Sequence, residues 1–66
     1  MLRQGDILTL LRHFQYHIQY AIPVEIYQGN VYIDVGVLTA VDESFVQLKG
    51  TLYNRSKFIF KSRPGY

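Results

Sequence analysis

The chain has 66 residues, no cysteine and a formal net charge of +2. That length admits a single domain, 1–66, whose core supplies little net stability, and the missing cysteines remove disulfides and Cys-based zinc sites as staples. A packed helix or neighbouring copies of the chain are the remaining supports, so self-association is expected.

Six Tyr and four Phe argue for an ordered domain. No apolar run reaches the roughly 18 residues that span a bilayer, and a soluble cytoplasmic protein with no membrane contact is expected.

Asp6 is placed to cap a helix over about 6–20. Ile7, Leu11, Phe14 and Ile18 fall on one face, Leu8 and Leu10 widen the stripe, and Arg12, Gln15 and Gln19 lie opposite. Pro23 ends the segment. His13 and His17 share a helical face, but no third ligand and no well-placed Glu accompany them. They read as partly exposed polar-face histidines, with Tyr16 and Tyr20 stacking at the same spacing; no metal and no cofactor are expected.

Four strands follow. The first, about 24–28, sets Val24 and Ile26 against Glu25 and Tyr27, and Gln28, Gly29 and Asn30 form a turn. The second, about 31–41, is interrupted by Gly36, where a bulge or sharp bend is expected. Asp42, Glu43 and Ser44 turn the chain into a third strand, about 45–53, in which Gly50 permits a positive φ. Asn54, Arg55 and Ser56 make a hairpin tip before a fourth strand, about 57–61, with Phe58 and Phe60 on one face. Ser62 to Tyr66 leaves room for an edge stub. The fold class is mainly β with one N-terminal helix, arranged as a small, strongly bent antiparallel barrel.

Charge divides along the chain. Residues 1–48 carry Arg3 and Arg12 against Asp6, Glu25, Asp34, Asp42 and Glu43, whereas residues 49–66 carry Lys49, Arg55, Lys57, Lys61 and Arg63 and no acid. A basic C-terminal segment suits a polyanion or an electrostatic contact between copies; a solvated basic tail is the plain alternative.

The motifs resemble the Sm-like (SH3-like barrel) superfamily. In that family's first motif a bend glycine is followed by an apolar residue two places later and an aspartate six places later, as Gly36, Leu38 and Asp42 are here. The Hfq-type bacterial RNA chaperones look nearest. Their helix runs into V-P-V-x-I-Y, read here as Ile22 to Tyr27, and an L-K-x-T ending matches Leu48 to Thr51 at the same spacing. The Y-K-H of their late strand is Phe60, Lys61 and Ser62 here. Their Gln-Phe pair after the aspartate is Glu43 and Ser44, with Phe45 one place late. The chain thus also resembles small, divergent Sm-like proteins, some encoded in spore-forming bacteria.

The resemblance implies a ring of six or seven copies joined through late strands, with Lys57, Phe58, Ile59 and Phe60 as the candidate edge. It also implies single-stranded RNA as partner. Lys61, Arg63, Arg55 and Lys57 would neutralise phosphates, while Phe45, Phe60 and Tyr53 would offer stacking surfaces. The competing expectation is a structural or protein-interaction module that keeps the barrel without RNA, with Tyr16, Tyr20, Tyr27, Tyr32 and Tyr66 as contact residues. An enzyme is not expected: no nucleophile motif or Gly-rich phosphate loop is present, and Asp34, Asp42 and Glu43 read as turn and strand-face acids.

Overall fold

Alternation of Val24 and Ile26 with Glu25 and Tyr27 drives one side of the first strand out of water, and both valine and isoleucine are fully buried. The computed structural model describes residues 5–63. Its elements in chain order are α1 (Leu11–Gln19), β1 (Val24–Gln28), β2 (Val31–Gly36), β3 (Ala40–Val41), β4 (Phe45–Leu48), β5 (Thr51–Asn54) and β6 (Ile59–Ser62). They form two three-stranded antiparallel sheets, ordered β2-β1-β6 and β3-β4-β5.

The segment expected as one long bent strand, 31–41, divides between the sheets. It pairs with β1 as far as Gly36, leaves the ladder over 37–39, and resumes beside β4 at Ala40. A Cβ at Gly36 would stand 3.0 Å from a Leu48 methyl, so a larger residue there would require the Leu48 side chain to shift. Earlier in β2 the register jumps from Ile26↔Asp34 to Tyr27↔Tyr32, leaving Ile33 as the extra residue of a bulge. Among the described residues no ladder joins the sheets into a closed barrel.

The helix is shorter than expected because its supposed first turn is recruited elsewhere. Gly5 donates its N–H to Ser62 O at 2.6 Å, Ser62 to Asp6 O at 2.8 Å and Leu8 to Phe60 O at 2.8 Å, with an antiparallel bridge between Ile7 and Lys61. Residues 5–8 thus line the outer side of β6, and Asp6 does not cap the helix. Leu10 is the N-cap and has no side-chain acceptor. His13 takes over that task, its Nδ1 accepting N–H groups from Thr9 at 3.2 Å and Leu10 at 3.3 Å.

The expected third strand also divides. Lys49 and Gly50 turn with φ of 53° and 80°, so 45–53 becomes the β4–β5 hairpin. The last strand begins at Ile59 rather than 57, because Lys57 and Phe58 donate to Asn54 O at 3.0 and 3.2 Å and close a turn.

Leu8, Phe14, Leu38 and Phe60 join Val24, Ile26, Val46 and Leu48 in the core. Phe14 and Phe60 meet edge to face, with centroids 5.3 Å apart at 82°. Tyr16 and Tyr20 do touch on the exposed helix side, 4.8 Å between centroids. The histidines are not alike: His17 is fully buried, its Nδ1 2.7 Å from His13 O and its Nε2 2.6 Å from Ser62 Oγ. No helix among the described residues is long and apolar enough to cross a membrane.

Candidate nucleic-acid interface

Two turns meet at one end of the molecule. Asp42 Oδ1 accepts the N–H groups of Ser44 and Phe45, each at 2.7 Å, a side-chain-to-backbone turn that aspartate is built for. In the second turn Asn54 Oδ1 accepts from Ser56 N at 2.9 Å and Ser56 Oγ at 2.6 Å. The β4–β5 ladder sets Phe45 opposite Asn54, so the turns lie side by side, and Arg55 N donates to Ser44 O at 2.8 Å.

Arg55 fastens this end. Its guanidinium donates to Asp42 O at 2.7 Å and Thr9 O at 3.1 Å while lying 4.7 Å above the Phe14 ring. A group so engaged serves as an internal tie. Lys57, by contrast, is exposed on the second turn. Between these turns and residues 7–9 runs a groove of about 430 Å³ with Leu8, Phe14, Phe58 and Phe60 in its lining and Glu43 and Arg55 as its charged members.

The expected phosphate-binding residues do not gather at one place. Lys61 and Arg63 lie beyond Ile59 on β6 and its exit, away from Lys57. Lys61 Nζ stands 4.6 Å over the Tyr27 ring, and Arg63 bonds Glu25 at 3.0 Å. Of the expected stacking rings, Phe45 is 39% exposed on the outer face of the second sheet. Phe60 is buried in the core, and Tyr53 is turned inward against Phe58, edge to face at 5.2 Å. Both rings serve packing in this arrangement. Of the expected interface residues, Phe58 packs on the core and Ile59 remains exposed.

Two features escaped the sequence reading. Tyr27 and Tyr32 meet edge to face at 5.8 Å on the first sheet, a pairing that depends on the Ile33 bulge. The His17–Ser62 contact resembles half of a nucleophile–base pair, yet the residues are 0% and 1% exposed, so the hydroxyl is a structural partner. Among the described residues no three His, Asp or Glu side chains gather as metal ligands.

The carboxyls of the Asp42 turn and of Asp34 in β2 are tuned by hydrogen bonds. The Phe45 and Ser44 N–H groups hold Asp42 below the usual carboxylate range, and the Val35 N–H with the Lys49 ammonium does the same for Asp34. A depressed folded-state value contributes stability above the unfolded pKa and loses it as pH falls through the folded one. Thermal stability is therefore expected to decline as pH falls through and below the ordinary aspartate range, and Asp42→Asn, which keeps the acceptor, should flatten that decline. Parallel acid melts by circular dichroism check this; identical slopes would reject it.

The fold and this end of it define a small two-sheet β domain with one helix, carrying an exposed aromatic ring at the start of β4 and a lysine on the neighbouring turn. No protein-family model, curated protein or solved structure matches the chain.

Proposed function

We propose that the chain is an Sm-like, single-stranded RNA-binding module that works as a homo-oligomer. One observation carries this reading. The exposed Phe45 ring lies opposite Asn54 in the ladder, and Lys57 N donates to Asn54 O, so a stacking surface and the main chain of an exposed lysine flank one residue. A base on Phe45 with its phosphate at Lys57 is the combination that sequence-tolerant single-strand binders use. The bent passage through Gly36 and the Asp42 turn also fit the Sm-like pattern.

A ring of six or seven copies would join late strands of neighbours. On the β6 side residues 5–8 already hold that position, so the homo-oligomer proposed here is one assembled without β6 rather than that ring. A second reading, a protein-interaction module without RNA, is favoured by the internal use of the cations: Arg63 on Glu25, Lys49 on Asp34, Arg55 on carbonyl groups.

Fluorescence anisotropy of labelled oligo(U) and oligo(A) across a salt series separates the two. Micromolar binding that weakens with salt is expected, with Phe45→Ala about tenfold weaker and Lys57→Ala more damaging than Lys61→Ala. Absence of binding at low salt, where phosphate contacts are strongest, would leave the interaction module as the function.

A further inference from the structure

Of the four sheet edges, three are blunted. The outer side of β6 is covered by residues 5–8, β3 is two residues long, and β2 carries the Ile33 bulge. The fourth edge, β5, has no such device. Among the described residues no strand pairs with its outer side, and Thr51, Leu52, Tyr53 and Asn54 bring neither charge nor proline to it.

We propose that β5 pairs antiparallel with β5 of a second copy about a two-fold axis, fusing two three-stranded sheets into one of six strands. Antiparallel alternation identifies the groups involved. Thr39 and Asp42 bond Gln47 and Phe45, so these residues of β4 face β3, while Ser44 O accepts from Arg55. Val46 and Leu48 therefore face β5, and their partners Tyr53 and Thr51 face β4. Leu52 is left with its N–H and C=O directed outward.

With the axis at Leu52, each copy donates that N–H to the other's carbonyl, an isologous contact that closes at two copies. The uncharged edge meets itself without repulsion. Lys49, flanking it, is held by Asp34 at 3.1 Å, and Arg55 is turned onto the Asp42 and Thr9 carbonyls. The side chains agree with the backbone. Leu52 is 61% exposed and borders a depression of about 90 Å³ lined by Ala40, Val41 and Phe45 together with Asp42 and Gln47, and pairing brings the two Leu52 side chains together. A core this small gains from the added burial.

Light scattering after gel filtration, at micromolar to sub-millimolar concentration, is expected to give a dimer. Leu52→Pro should be monomeric and still fold, since the lost N–H serves no internal bond, with a melting temperature that no longer rises with concentration. Leu52→Cys should form a disulfide-linked dimer on mild oxidation, because hydrogen-bonded partners lie about 5.5 Å apart at Cα and the chain has no other cysteine. Gln28→Cys, away from this edge, should not. If Leu52→Pro fails to fold, the cysteine pair decides. A monomer at every concentration, a six- or seven-copy assembly, or no selective crosslink at Leu52→Cys would overturn the proposal. RNA affinity, measured separately, tests nucleic-acid binding and leaves the β5 pairing untouched.

Discussion

Phe14→Ala is expected to leave most of the chain unfolded at room temperature. Phe14 is 1% exposed, meets Phe60 edge to face in the core, and carries the Arg55 guanidinium over its ring. Truncating a buried phenylalanine costs about 3 to 5 kcal/mol through lost transfer energy and the cavity left behind. For a domain of this length that is comparable with the whole stability. The loss also strips the surface on which Arg55 lies while tying the Asp42 turn to Thr9, so the candidate RNA-binding end should loosen with the core. Phe14→Leu, which keeps most of the volume, should fold with reduced stability. Urea titrations followed by circular dichroism are the check; a cooperative transition for Phe14→Ala close to wild type would show that this ring is not central.

The second large effect is expected at His17. The His13 carbonyl can only accept, so in the neutral ring Nδ1 carries the hydrogen and Nε2 accepts from the Ser62 hydroxyl. Both side chains are buried, and the pair fastens the helix to the last residue of β6. His17→Ala removes volume and leaves a buried hydroxyl unsatisfied, for about 2 to 4 kcal/mol. Ser62→Ala should cost about 1 to 3 kcal/mol. The double variant should cost less than the two singles together, because neither orphan then remains. Additive losses in a double-mutant cycle would show that the contact contributes nothing of its own.

Periodicity made part of the fold readable. Val24 and Ile26 against Glu25 and Tyr27 fixed the buried side of β1, and the turns at Gly29–Asn30 and Asp42–Ser44 stand where residues with a local reason to turn cluster. Propensity misled where tertiary pairing outweighed it. Asp6, Ile7 and Leu8 carry an acceptable helix-start pattern, yet their backbone groups find partners on β6, fifty-odd residues later by sequence and invisible to any local window. The same limit applies to His17, whose burial depends on where Ser62 ends up. At the candidate site, charge located the basic residues, but Arg55 and Arg63 are committed to partners that only the folded arrangement brings near.

The pairing of residues 5–8 with Phe60, Lys61 and Ser62 also governs the order of events in folding. Residues 5–8 close the sheet only with residues roughly fifty positions later, so the contact carries a large loop-closure cost. Until β6 arrives, β1 lacks one of its two neighbours and Leu8 lacks the Phe60 carbonyl that anchors it. The growing polypeptide cannot settle domain-like portions in succession. The domain is expected to commit late and as a unit, in the slower range typical of non-local β topologies.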